Sequence, residues 1–288
     1  MAVVNTNIAA SLAQSSLMKN ERALGTAMEQ LSTGRKINSA GDNAAGLAIS
    51  TRMSSQIRGL DAAIRNANDA VSMVNTAEGA LDEITTMLQR MRELAVQAGT
   101  GTTAAADRTY LQSEFTALRT EIDRIADNTQ WNGRNILDGS AGASTGKSTV
   151  AFGIGQDGTA AQTLSTSFGN FNNTTGKLSG LASKVITGTT IASAITVAAA
   201  AITEIDVVIA DVSAQRASFG AVSNRLTHAV DSLTNTKTNS EAARSRVLDT
   251  DYAAATSELA RTQIIQQAGT AMLAQANQLP QTVLALLQ

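Results

Sequence analysis

The sequence predicts a mainly α protein: a long antiparallel helical bundle formed by the N- and C-terminal halves of the chain, a small central β-hairpin, and a heptad-patterned helix at each end. Three observations lead there. The 288 residues contain a single proline, Pro280, and proline ends helices because it removes a backbone donor and clashes with the preceding turn. Hydrophobic residues make up 43% of the chain but aromatics only 3%. Such a core suits alanine and leucine on closely packed helices rather than large rings. Apolar residues also recur at three- and four-residue steps on both sides of a polar, glycine-rich middle.

Ala10, Leu17, Leu24 and Leu31 recur every seven residues, with Met28 between, which reads as a helix with one narrow apolar stripe. Residues 32–46 break the stripe with Gly34, Gly41 and Gly46 among Ser, Asn and Asp, a linker composition. Asp42 or Asn43 is placed there to cap the next helix. That helix carries Ile49, Met53, Ile57, Leu60, Ile64, Ala67, Val71, Val74, Leu81, Ile84, Leu88, Met91 and Ala95, roughly fifty residues and roughly 75 Å. It ends at residues 99–101. Leu111, Phe115, Leu118, Ile122 and Ile125 mark a third helix that turns back antiparallel.

From residue 132 to 190 helical spacing disappears. Val150, Phe152 and Ile154 alternate with smaller residues, and Leu164 and Phe168 follow Gln156-Asp157-Gly158. Asp-Gly between alternating runs is a hairpin signal. The rest of this segment reads as loop, so removal of about 141–187 is expected to leave assembly possible. Ile191, Ile195, Ala198, Ile202, Ile205, Ile209, Val212, Phe219, Leu226, Val230 and Leu233 then define a fourth long helix. After a pause at residues 249–251, Ile265, Met272, Leu279 and Leu286 again recur every seven residues.

The two terminal stripes are too narrow to hold a helix in isolation. They need partners, and the available ones are the opposite terminus and neighbouring copies of the chain. Leu17, Leu24, Leu31, Ile265, Met272, Leu279 and Leu286 are the expected contact residues, and the terminal helices are expected to gain order on assembly.

Composition excludes several functions. A net charge of −2 points away from nucleic acid. The absence of cysteine removes disulfides, thiolate zinc and cysteine nucleophiles. His228 is the sole histidine and lacks metal-ligand spacing or a nucleophile-elbow sequence around it, so no metal or cofactor is expected and His228 reads as structural or exposed. Residues 41–46 lack the Gly-Lys-Ser/Thr of a phosphate loop. Asn172-Asn173-Thr174 is a weak glycosylation match. The last helix has no Lys or Arg after Arg261, unlike a membrane-binding helix. No basic-then-apolar leader opens the chain. The segment 140–190 contains no His, Glu or Cys, which disfavours a hydrolase. Arg90, Arg92 and Glu93 read, on charge alone, as a solvated face.

The wording of the chain resembles bacterial flagellin. Met1-Ala2-Val3-Val4-Asn5-Thr6-Asn7 looks like the family's start. Leu31-Ser32-Thr33-Gly34-Arg35-Lys36-Ile37-Asn38 and Asp42-Asn43-Ala44-Ala45-Gly46 look like its spoke region. Gln89-Arg90-Met91-Arg92-Glu93-Leu94-Ala95-Val96-Gln97 resembles its long inner helix, and Gln266-Gln267-Ala268-Gly269-Thr270 with Leu273-Ala274-Gln275-Ala276-Asn277-Gln278 its C-terminal helix. The likeness covers about residues 1–140 and 190–288. It implies a non-enzymatic, self-assembling subunit of the flagellar filament, a helical homo-oligomer, with large outer domains missing from the short middle.

Under that resemblance residues 1–44 and 248–288 form inner-tube helices, 45–140 and 190–247 a surrounding helical bundle, and 141–189 a short variable segment. It further implies export through the flagellar apparatus without a cleaved signal. The implied partners are an export chaperone at the C-terminal helix, cap and hook-junction proteins, and a host toll-like receptor, with neither nucleic acid nor membrane. The family's protofilament and receptor surface maps onto Arg90, Leu94 and Glu114. Leu94, four residues after Arg90, is expected beside it on that face. A hook-filament junction protein is the alternative function.

Overall fold

The computed structural model describes residues 7–142, 148–155, 162–172 and 176–286, with side chains as far as residue 278. The elements in order are α1 (Ile8–Thr33), α2 (Ala44–Ala98), α3 (Ala105–Asn128), β1 (Gln130–Trp131), β2 (Arg134–Asn135), β3 (Thr149–Gly153), β4 (Thr163–Ser167), α4 (Ser179–Ala182), α5 (Ile191–Leu248) and α6 (Tyr252–Leu286). Without internal proline, α2 reaches 55 residues and α5 58. The chain forms two compact units, residues 1–57 with 238–288 and residues 58–237. The boundaries fall inside the long helices rather than at the helix breaks.

In the unit of residues 58–237, α2 and α5 run antiparallel in a register fixed by charge. Lys237 meets Asp61 at 2.7 Å, Arg216 meets Asp82 at 3.0 Å, and Arg92 meets Asp206 at 2.7 Å. Residue numbers rise on one helix as they fall on the other, and the three pairs share one offset. Each exposed pair contributes little stability, but together they disfavour a one-turn slip. Inside, Leu81, Ile84, Leu88 and Met91 of α2 meet Phe115 and Ile122 of α3 and Ile205, Val208, Val212, Phe219 and Leu226 of α5, all inaccessible to solvent.

The middle segment differs from its sequence reading. The expected hairpin is present: β3 and β4 pair antiparallel from Thr149↔Ser167 to Gly153↔Thr163, while the Asp157-Gly158 turn lies outside the described residues. A second hairpin, β1–β2, closes through Asn132 (φ 50°) and Gly133 (φ 75°). Asn-Gly is the preferred pair for a two-residue turn with both φ positive, so this signal was present in the sequence and went unread. More consequentially, Phe168, Phe171, Leu178, Leu181 and Ile186 are fully buried in the shared core. The segment is therefore no dispensable loop. Its wide spacing of large residues, set among Gly and Ser, hid a contribution that is non-local.

Each outer edge of the ribbon is met by one side-chain donor. β3 offers the Gly153 carbonyl to the Asn66 amide at 3.3 Å, and β4 offers the Ser167 carbonyl to the buried Gln215 amide at 2.8 Å. Unpaired edge strands template aggregation, and these two side-chain donors occupy them.

In the unit of the chain ends, α1 pairs with α6. Asn7 caps α1 by accepting from the Ala10 N–H at 3.0 Å. Asn43 caps α2 through Gly46 N–H at 2.9 Å, which decides between the two expected caps. Asp42 instead accepts from the backbone N–H groups of Ser39 and Asn38, and these bonds hold its carboxyl below the usual range. Gly34 ends α1 at φ 70° with the Tyr252 hydroxyl 3.1 Å from where a Cβ would stand, so the left-handed conformation is what favours glycine. Backbone bonds Lys36 N–H to Leu248 O (2.7 Å) and Thr250 N–H to Gly34 O (3.0 Å) join the two helix breaks.

Candidate functional site

The contact between α1 and α6 combines half-buried leucines with buried small and polar residues. On α1 the seam is Ala10, Ala13, Leu17, Asn20, Leu24, Ala27 and Leu31, in alternating three- and four-residue steps, with only Asn20 and Ala27 fully buried. On α6 it is Ala255, Thr262, Gln266, Gly269, Leu273 and Ala276. The buried Asn20 amide donates to the Thr262 carbonyl at 2.7 Å, and the Asn7 amide to the Ala276 carbonyl at 2.7 Å. A buried amide in a helix seam sets register and orientation at some cost in stability. Half of this seam was legible: Leu17, Leu24 and Leu31 are half-buried in it. Asn20, Thr262 and Gly269 are not legible in that pattern, because small and polar residues add little hydrophobic signal.

The described part of the α6 stripe expected from the heptad, Ile265 and Met272, is not in that seam. Ile265 is 43% exposed and Met272 65%; the side chains of Leu279 and Leu286 lie outside the described residues. Ile265 and Met272 flank the seam and, with Ala9, Leu12, Ala13, Ser16, Leu17 and Gly269, line an apolar groove of about 430 Å³. Ile8, Met18, Met28 and Ile264 are exposed on the same two helices. Leucines and small residues share the seam within the chain, while Ile8, Leu12, Met18, Met28, Ile264, Ile265 and Met272 face out.

The second candidate surface lies on α2 and α3. Arg90 donates from Nε to Glu114 Oε1 at 2.9 Å and from Nη1 to Glu93 Oε2 at 3.1 Å, with about half its side chain exposed. Hydrogen bonding to Glu114, then to Glu93, holds the guanidinium even more firmly protonated than usual. Leu94 is not beside Arg90 on that surface: it is fully buried in the core. The reason is rotational. At about 100° per residue, Leu94 lies near Met91 and Ala98 inside the arc that α3 and α5 cover, while Arg90 and Arg92 sit on opposite rims of that arc. Arg90 pairs towards α3 and Arg92 towards α5, so the run reads as two rim clamps, and the solvent-facing site narrows to Arg90, Glu93 and Glu114.

His228 is exposed on α5. Among the described residues no three His, Cys, Asp or Glu side chains are grouped to hold a metal.

These features define a class: a mainly helical subunit whose paired terminal helices leave several large apolar side chains exposed. The chain matches the bacterial flagellin N-terminal helical region over residues 4–142 and the C-terminal helical region over residues 202–287. It is 43% identical to a flagellin of Halalkalibacterium halodurans over 286 residues, covering 99% of this chain and 100% of that one. It is 36% identical to Flagellin A of Vibrio cholerae serotype O1 over 375 residues, covering 99% of each. That alignment is longer than the present chain, so the Vibrio protein carries insertions relative to this short form. A solved flagellar hook-associated protein from Vibrio parahaemolyticus shares the fold with a TM-score of 0.60 at 14% identity, covering 72% of this chain and 100% of that one.

The chain belongs to the bacterial flagellin family and is a structural subunit of the flagellar filament. The junction-protein alternative is not better supported.

Proposed function

We propose that the groove flanked by Leu12, Leu17, Ile265 and Met272 is where one subunit receives another during filament growth. The observation behind this is the outward placement of the large apolar residues on α1 and α6. In this reading residues 1–44 and 248–288 supply an inner tube, 45–140 and 190–247 the bundle around it, and 141–189 its short variable part. Leu24, Leu31, Leu279 and Leu286 extend the contact along both helices. Electron microscopy of the purified protein tests it: long helical polymers are expected, and a protein that stays monomeric at high concentration refutes it. If assembly supplies the contacts that order the terminal helices, far-ultraviolet circular dichroism rises in helix content from monomer to filament. Equal helicity in the two states refutes that part.

The subunit acts outside the cell after export, without catalysis. An export chaperone covers the apolar face of α6 before assembly, and cap and hook-junction proteins meet the growing ends. Nucleic acid and membrane are not partners. By composition α5 is apolar enough to cross a membrane, but Ala198, Ala201, Ile205, Val208 and Val212 are buried in the core and Asp206 pairs with Arg92, so one stripe of it packs within the protein while Ile191, Ile195 and Val207 stay about half exposed.

Arg90 and Glu114 serve contacts along the protofilament and recognition by a host toll-like receptor. A planar, multidentate guanidinium suits an interface anchor, and here two carboxylates orient it. Arg90→Ala and Glu114→Ala are each expected to weaken binding of monomers to the receptor by roughly tenfold, with intact filaments binding far less than monomers. Wild-type affinity in both variants returns Arg90 to an ordinary solvated charge.

A further inference from the structure

Seven methionines fall among the described residues, and the structure sorts them sharply. Met73 and Met91 are buried in the bundle core and Met53 and Met87 are half-buried. The remaining three, Met18, Met28 and Met272, are more than half exposed, at 52%, 56% and 65%. All three lie on α1 and α6. Met272 also lines the apolar groove, against Leu12, Leu17 and Ile265. The chain has no cysteine to act as a softer target. Exposed thioethers are thus concentrated on the helices that lack cover.

We infer that Met272, with Met18 and Met28, is an oxidation site at which a peroxide switches off polymerisation of free subunits. This rests on the groove being the subunit contact. The thioether sulfur takes one oxygen from hydrogen peroxide, gives up two electrons, and leaves a sulfoxide and one water. The product replaces a flexible apolar side chain with a polar, chiral one. In the monomer the change is cheap, because the side chain is in water. In the polymer the S=O dipole is enclosed in a groove that is apolar apart from the Ser16 hydroxyl, and a buried polar group left short of partners is unfavourable. Sulfoxide therefore acts on assembly rather than on folding. Once the contact forms, the same sulfur is shielded, so filaments resist a dose that stops monomers.

The experiment treats full-length monomers and preformed filaments with graded hydrogen peroxide, locates sulfoxide by peptide mass spectrometry, and measures the critical concentration by sedimentation. Sulfoxide is expected first at Met272, Met18 and Met28, more slowly in filaments, with a critical concentration raised about tenfold and restored by methionine sulfoxide reductase. The variant Met18→Leu/Met28→Leu/Met272→Leu keeps volume and apolarity and is expected to polymerise after peroxide as it does before. Sulfoxide at Met272 with an unchanged critical concentration overturns the inference, as does an equal peroxide block in the triple variant. If that variant does not polymerise untreated, reductase rescue of the wild type decides: a block that persists after all three sulfoxides are reduced overturns it. Untreated wild type that never polymerises instead sinks the filament contact itself, and is told apart because no peroxide was needed.

Discussion

Ile265→Asp abolishes polymerisation while leaving the monomer folded. In the free chain Ile265 is 43% exposed and stands at the flank of the α1–α6 seam, where Thr262, Gly269 and Ala276 do the packing. A carboxylate there keeps its hydration and disturbs no buried contact. On assembly the same carboxylate is forced into the groove with Leu12, Leu17 and Met272, which offers neither a cation nor a hydrogen-bond donor side chain except the Ser16 hydroxyl. Burial of an unpaired charge costs several kcal/mol. Even about 3 kcal/mol raises the critical concentration by roughly a hundredfold. Sedimentation and electron microscopy read the loss, and thermal unfolding of the monomer is the control. Filaments at the wild-type critical concentration would remove the groove from the interface. Leu279→Asp extends the test one heptad along α6 and is expected to behave alike.

Phe168→Ala acts on the other unit and on folding. Phe168 is fully buried just past β4, its ring 5.1 Å from that of Phe219 on α5 at a 49° tilt. The adjacent Ser167 carbonyl is held by Gln215, so the corner has little freedom to collapse into a void. Truncation of a phenylalanine at such a position costs about 3–5 kcal/mol, since the lost transfer energy is joined by a cavity. For a unit of this size that lowers Tm by roughly 10 °C. Ser165→Ala, on the exposed face of the same strand, is expected within about 0.5 kcal/mol of wild type. Deletion of 141–187 removes Leu164, Phe168, Phe171, Leu178, Leu181 and Ile186 together and is expected to leave residues 58–237 without a cooperative transition. An unchanged Tm for Phe168→Ala would make the middle segment an appendage after all.

Much of the helical architecture was written in local pattern. One proline in 288 residues permits helices of 55 and 58 residues, and three-four periodicity places the long helices to within a few residues at many of their ends. The breaks at residues 34–43 and 249–251 show as Gly, Asn and Asp, because capping and left-handed turns need those residue types within one or two positions. The β3–β4 pair was visible as alternation. These are short-range demands, and the chain states them where they apply.

What the chain does not state locally is which surface meets which. The heptad at Leu17, Leu24, Leu31, Ile265 and Met272 was evident as a stripe, yet only the folded pair shows that α6 turns Thr262, Gly269 and Ala276 inward and leaves Ile265 and Met272 outside. Leu94 looked like a neighbour of Arg90 until packing from two sides widened the buried arc of α2 to include it. Phe171 and Leu181 read as loop residues until a core built by helices a hundred residues apart encloses them. The sequence by itself determined the helices, their breaks and the family likeness, because propensity, capping and periodicity act within a few residues. Only the tertiary structure decided the seam, the uncovered groove and the buried middle, because burial depends on partners that are distant along the chain and close only once it has folded.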